Sequence, residues 1–506
     1  MTQPRANATS NATWLAALLA ILIGLAASLN ALGFHTVTGL LFNTDMLLPV
    51  DLLHDVTLGV DVARQFQLPR VPSFFPDLAV MALLRPIWVG WHAPLLAYAL
   101  LSAAALIVMT ARLAARLGGP SWAMCLMVTA ALFALLLLPG ADWLGLPTPA
   151  IFALMPVIHS GSTLLVFAAV LLVLPARRSV RPVLLAALAG LIFLASLSDK
   201  LFDVAFVLPC LAALAAVNLV TLRARQPISR PDLAIGMVLV VSVVAGLGAE
   251  RWLFRVWLVR QPDIPLSLRD LQNWRWDYAA RPELWLVAFC LIAGAVLLWR
   301  LRHRLEPFLL WLVAASTACL MAFFMLFYVD HDSLRYVQVL FWWLIVLATV
   351  QLGRIGARAL LVACGGVAGL LVVALLLTPE RVLSPPVLRW RDPAASCLQE
   401  LAAQGRIHQG LAEIWTARGL EISTDWQVPV AQLANTGAVY VWGNNRLFYA
   451  QDHRNPTLPA RFDFVVMRDM RPQAVRARFG PPGEIVACGP DQVWLYPAGL
   501  TLQSAG

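Results

Sequence analysis

Charge is scarce in this sequence and lysine is almost missing from it. Charged residues make up 13% against 60% hydrophobic, and among 37 basic residues only Lys200 is a lysine. Soluble domains carry about 25% charged residues, so with a mean hydropathy of +0.75 water is not the main solvent of this chain. No internal repeat or low-complexity tract is present, which excludes solenoids and weighs against transporters built from repeated halves. The first apolar stretch, 13–34, lacks a small-residue cleavage site and is long, so it reads as a retained span rather than a removed signal peptide. A net charge of +9 would suit nucleic acid if the arginines formed one patch. They recur instead in short clusters between apolar runs, the pattern of loops on one membrane face, and nucleic acid is not expected as a partner.

What is present is a regular series of apolar segments. Spans are predicted near 13–33, 92–113, 121–139, 162–175, 182–198, 203–222, 232–249, 283–300, 307–328, 336–353 and 359–378, each long enough or nearly so to cross about 30 Å of hydrocarbon. With the N-terminus inside, every inner loop is basic: Arg112 and Arg116; Arg177, Arg178 and Arg181; Arg223, Arg225 and Arg230; Arg300, Arg302 and Arg304; Arg354 and Arg358. That asymmetry orients the chain. The weak points are 162–175, short for a span, and 78–91, which suits an interfacial helix.

After Thr378 the apolar runs stop. The expected organisation is a polytopic membrane domain, 1–378, with outer loops at 34–91, 140–161, 250–282 and 329–335, and a soluble extracytoplasmic domain, 379–506. The latter reads as a small α/β layer, with a helix at 394–403 and strands at 437–442, 462–467 and 492–496. Five of seven cysteines lie in apolar spans; Cys397 and Cys488 are the pair in the soluble domain. In an oxidising compartment they are candidates for a disulfide.

The outer loops carry the residues with chemistry. The first holds Asp45, Asp51, Asp55, Asp61 and Asp77 with His35 and His54. Pro49 is placed to start a helix on which Asp51 and Asp55 fall at i and i+4. Like charges at that spacing repel, so they need a compensating cation or a role. Carboxylates at a membrane face serve as a general base toward a hydroxyl, as ligands of a divalent metal, or simply as a solvated helix face. Pro72 to Asp77, with two aromatic residues, either walls a site or anchors the loop at the interface.

The second outer loop offers Asp142, Trp143 and His159. Ser198-Asp199-Lys200 closes a later turn on the same face. In 250–283 six arginines, including Arg255 and Arg260, interleave with tryptophans against the orientation rule, a surface suited to lipid phosphate or to anionic headgroups generally. Asp330-x-Asp332 has a spacing compatible with a metal, and Arg335 begins the tenth span beside Tyr336. Arg335, Arg255, Arg260 and Lys200 are the candidates for binding a lipid phosphate, and His54, Asp77 and Tyr336 those for binding substrate.

A first span followed by an acid-bearing outer loop, about eleven spans, a late outer loop running into Arg335-Tyr336 and an external C-terminal domain together resemble the GT-C class of integral-membrane glycosyltransferases. The likeness covers the layout of 13–378. It implies an α-helical polytopic fold and transfer of a sugar from a polyprenyl-phosphate carrier to a glycan, lipid or protein acceptor, on the outer face of a bacterial inner membrane. In that class an aspartate of the first outer loop acts as base or metal ligand, which matches Asp45 best and Asp51 second. An arginine near the late Arg-Tyr pair faces the carrier phosphate, which matches Arg335.

Two departures from the class are visible. The second outer loop has Asp142 where metal-dependent members carry an acidic pair, so a divalent metal is possible but not required. The C-terminal domain lacks the Trp-Trp-Asp signature of oligosaccharyltransferases. A transporter or flippase of a lipid-linked glycan and a non-catalytic envelope scaffold are the alternative functions.

Overall fold

The computed structural model describes residues 5–69, 71–85, 90–138, 148–155, 157, 159–256, 259–260, 282–327, 331–378, 386–452 and 457–502. The apolar runs form α1 (Arg5–Ala31), α2 (Thr44–Leu58) in the first loop, α3 (His92–Arg116), α4 (Trp122–Leu137), α5 (Ser160–Arg178), α6 (Pro182–Ser198), α7 (Leu208–Arg223) and α8 (Arg230–Val256). They continue as α9 (Pro282–Leu301), α10 (Pro307–Phe327), α11 (Gln338–Leu352) and α12 (Ala357–Leu377). All eleven expected spans are helices. Among the described residues nine are long and apolar enough to cross a membrane, α7 and α11 when counted with the helical turns before them as Lys200–Arg223 and Ser333–Leu352, while α4 and α6 are apolar but shorter. The run at 162–175 lies inside the 19-residue α5, and 78–91 contributes only the short apolar helix Phe74–Leu84.

Helices packed in lipid lack a hydrophobic drive toward one another, so close approach through small side chains does the work. Alanines 16, 20 and 27 of α1 and 123, 130 and 131 of α4 are buried in one core. Where α8 crosses α6, a Cβ at Gly246 would stand 2.8 Å from the Phe193 carbonyl oxygen. The basic ends of the helices gather at one side of the bundle. Arg177 Nε donates to Asp232 at 2.8 Å and its Nη1 to Glu306 at 2.6 Å, which joins the ends of α5, α8 and α10. At the other side His92 Nε2 meets the Trp390 carbonyl at 2.8 Å, so the start of α3 abuts the C-terminal domain.

That domain contains α13 (Ala395–Ala403), α14 (Ile414–Ser423) and α15 (Pro472–Phe479) around a sheet of β3 (Gly410–Glu413), β4 (Val430–Leu433), β6 (Phe462–Val466), β7 (Glu484–Cys488) and β8 (Asp491–Leu500). The strand order is β4-β3-β6-β8-β7, with β4, β3 and β6 parallel and β8 antiparallel to both its neighbours. The crossover β3–α14–β4 is a parallel βαβ unit. Both sheet faces are covered, one by Leu398 and Leu420, the other by Val475 and Met470. Cys397 and Cys488 are bonded, with their Cα atoms 5.4 Å apart. The segment 437–442 is not a strand: apart from a bridge between Leu433 and Val439 it is irregular, set between Gly437 at φ 78° and Gly443 at φ 54°.

A second, small sheet joins the two parts. β1 (Phe66–Leu68), from the first outer loop, pairs in parallel with β2 (Val259–Arg260) and antiparallel with β5 (Asn444–Asn445) of the C-terminal domain.

Candidate functional site

The first outer loop is organised by α2. Its helix starts at Thr44 rather than at Pro49, because the Asn43 side chain accepts from Met46 N at 3.0 Å and caps it. Pro49 lies inside the helix and removes the N–H that would bond the Asp45 carbonyl. By helical spacing Asp51 and Asp55 share one face of the helix and Asp45 lies on another.

Asp51 and Asp55 face the C-terminal domain. Arg418 of α14, fully buried, donates Nε to Asp51 at 3.0 Å and its Nη atoms to the carbonyls of Thr44 and Gly443. Trp426 Nε1 reaches the other Asp51 oxygen at 3.4 Å. Asn445 Nδ2 donates to Asp55 at 2.7 Å and to the Val62 carbonyl at 2.9 Å. Glu421 belongs to the same buried group. One guanidinium serves three acids, and the result is a proton count: burial, reinforced by Asp51, lifts Asp55 to about 8 against the opposing pull of Asn445 and Arg418. Burial, then Asp51 and Asp55, likewise hold Glu421 well above the usual range. Both shifts favour the protonated acid, and a proton on Asp55 relieves the like-charge repulsion of the i, i+4 pair.

His54 lies beside Asp51 and also meets the C-terminal domain. Its ring stacks on Trp426 at 4.0 Å and 8°, and burial lowers its pKa. The stack borders a cavity of 310 Å³ that Arg85, Trp91 and Asp425 also line.

Asp45, in the first turn, faces the membrane helices. It is 3% exposed and accepts from Arg335 Nη1 at 3.1 Å, across 290 residues of sequence. Arg335 comes from the tight 3-10 turn His331–Val337 that leads into α11. Next to it, the Tyr336 ring sits 5.1 Å from His159 and 5.3 Å from Phe323, and the Arg335 guanidinium carbon is 5.3 Å from that ring.

His159 caps α5 with φ 74°, and its Nδ1 lies 2.7 Å from Asp199 Oδ2. Ser162 donates to the same oxygen, and Leu201 N to Oδ1 at 2.9 Å. Burial alone would raise the Asp199 pKa, but His159, Ser162 and Leu201 together hold it below the ordinary carboxylate value. Lys200, half-exposed, pairs with buried Glu250 at 3.3 Å. Asp77 is buried and accepts from the Tyr98 hydroxyl. It packs so closely on α5 that a Cβ at Gly161 would fall 2.6 Å from its Oδ1.

The structure thus brings together Asp45, Arg335 and Tyr336, with His159 against Tyr336 and Asp199 bonded to His159. It sets Asp51, Asp55 and His54 in the domain interface, Asp51 and His54 both touching Trp426, and Asp77 in a helix junction. Arg255 is exposed at the end of α8. The Arg260 and Asp332 side chains, together with Asp142, Trp143, Asp330, Arg269, Arg275, Arg281, Trp257, Trp274 and Trp276, lie outside the described residues. Among the described residues no group of three or more His, Cys, Asp or Glu side chains is suited to a metal ion. Among the described residues Asp45 has the Arg335 guanidinium as a side-chain partner.

Arg418, Asn445 and Trp426 were not singled out as partners of α2 by sequence reasoning. The one signal for them was the unexplained repulsion between Asp51 and Asp55. No protein-family model matches the chain, and no curated protein does either. Among solved structures it is similar to "ArnT from Cupriavidus metallidurans bound to Undecaprenyl phosphate", with a TM-score of 0.52 at 13% identity over 97% of this chain and 98% of that one. The fold is therefore the GT-C-like fold of ArnT, extending through both the membrane and C-terminal parts.

Proposed function

We propose that this protein transfers a sugar from a polyprenyl-phosphate carrier to an envelope acceptor, on the outer face of the bacterial inner membrane, with the C-terminal domain in the periplasm. The observation that carries the reading is the pair of buried Asp45 with partly buried Arg335, 3.1 Å, at the end of the bundle that adjoins the C-terminal domain, in a fold like that of a protein crystallised with undecaprenyl phosphate.

In this reading the pair is a resting state. An incoming phosphate draws the guanidinium, which can bind two oxygens in parallel. Asp45 then loses the cation that lowers its basicity and becomes a better proton acceptor. It takes the proton of the acceptor hydroxyl, whose oxygen attacks the anomeric carbon of the sugar. The bond from that carbon to the carrier phosphate oxygen breaks, with inversion, and the electron pair leaves on the phosphate. Arg335, with Lys200 on the same face, stabilises that charge. The proton ends on Asp45. Tyr336 orients the acceptor or sugar against His159, whose ring Asp199 fixes. His159 is the second candidate for the base, since a histidine oriented by a buried carboxylate is a recurrent arrangement for proton transfer.

The test is mass spectrometry of envelope lipids and glycans from cells with and without the gene. One acceptor lacking one sugar, with accumulated sugar-charged carrier, is the expected result. An unchanged glycan profile would overturn the reading, and uptake of a lipid-linked glycan into vesicles without bond formation would replace it with transport.

A further inference from the structure

The side of the bundle away from the C-terminal domain holds a cavity of 540 Å³ that the sugar-transfer reading does not use. It forms where three stretches of chain meet: the end of α3, the end of α5 and the turn between α9 and α10. Arg116, Arg178, Arg304 and Glu306 line it, and Leu117, Leu174, Pro175 and Leu305 supply its apolar wall. Because α3 begins against Trp390 of the C-terminal domain and runs 25 residues, about 37 Å at 1.5 Å each, Arg116 is a full membrane thickness away from the Asp45 site.

The charge of this cavity is unbalanced. The single acid on the lining, Glu306, is already held by Arg177 at 2.6 Å, and Arg177 also binds buried Asp232 at 2.8 Å. Arg177 and Asp232 offset each other, so three guanidiniums face one carboxylate. Arg116 spends one N–H on the Leu171 carbonyl at 2.8 Å, which pins α3 to α5. Arg178 and Arg304 are exposed and form no ion pair with another described residue. Arginine at a helix C-terminus commonly does no more than offset the helix dipole. That explanation does not reach Arg304, which sits in a turn, nor does it require three guanidiniums around one cavity.

We propose that this cavity binds one anionic phospholipid of the adjacent leaflet, its phosphate between Arg178, Arg304 and Arg116 and its glycerol and first methylenes against Leu174, Pro175 and Leu305. Basic pockets between membrane helices recognise such headgroups, and guanidinium forks match phosphate oxygens. The apolar half of the lining favours a lipid over a soluble anion.

The experiment is native mass spectrometry of the full-length protein after incorporation into vesicles of phosphatidylcholine with and without phosphatidylglycerol. Two double variants are compared, Arg178→Gln with Arg304→Gln at the cavity, and Arg354→Gln with Arg358→Gln elsewhere on the same side. Both leave the Arg116 contact with Leu171 intact, which protects the fold. The expected result is one retained phosphatidylglycerol in the parent protein and the Arg354/Arg358 variant, with apparent affinity about 30-fold lower in the Arg178/Arg304 variant. Equal retention by all three proteins, or equal loss in both variants, would overturn the site. Displacement of the lipid by millimolar inorganic phosphate would overturn the choice of a lipid.

Discussion

Replacing Arg418 with methionine tests how the first outer loop is held in place. The side chain is fully buried and joins Asp51 to the carbonyls of Thr44 and Gly443. Methionine keeps much of the volume but removes every donor, leaving Asp51 beside Asp55 and Glu421 with no cation. Breaking a buried pair in this way costs about 3–5 kcal/mol, and stranded carbonyls add to it. At about 4 kcal/mol the population in which α2 has left the C-terminal domain rises roughly 1000-fold. Amide hydrogen exchange of residues 44–58 reads that population directly. Protection there should fall by about three orders of magnitude, while α11 and α12 keep theirs. Adding Asp51→Asn should restore part of the loss. A fall in protection of less than about tenfold in the single variant would refute the interface as described.

Other substitutions probe the same framework. Asp55, with its pKa raised to about 8, binds its proton more tightly in the docked state, so docking weakens as pH rises from the ordinary carboxylate range to about 8, by at most about 1.4 kcal/mol per pH unit, and levels off above it. Asp55→Asn should flatten that dependence, as seen in exchange of 44–58 between pH 6 and 9. Gly161→Ala forces a methyl to 2.6 Å from Asp77 and Pro76, and thermal unfolding in detergent should show a loss of about 1–3 kcal/mol. Cys397→Ser opens a link across 91 residues, worth up to about 4–5 kcal/mol by chain entropy; denaturant unfolding of the C-terminal domain should shift accordingly.

Hydropathy and arginine placement were enough to locate the eleven apolar helices, because burial in lipid writes itself into long runs. The C-terminal sheet was less legible. The strands at 462–466 and 491–500 carry branched and aromatic residues, whereas Gly410–Glu413 and Val430–Leu433 are four residues each and are buried on both faces, so they show no alternation. The segment 437–442 has strand-like composition, yet its glycines turn the backbone so that the Gly443 carbonyl reaches Arg418. At the site, repulsion between Asp51 and Asp55 announced a missing cation. Its source, Arg418, lies 367 residues away, and no local pattern could supply it. Asp45 and Arg335 were each conspicuous as charged groups at membrane depth, but only the fold shows that they touch. His159 and Asp199 stood out separately, and their pairing too is a property of the packed helices.

The most direct measurement is the rate of sugar transfer by purified protein in vesicles charged with a polyprenyl-phosphate sugar and acceptor, comparing the parent chain with Asp45→Asn. Asparagine preserves shape and can still accept from Arg335, so binding of the proposed polyprenyl-phosphate carrier should be unchanged or tighter. The account predicts a loss of transfer of about 100-fold or more, the scale of a lost general base. Transfer at the parental rate with normal carrier binding would contradict it and pass the role of base to His159.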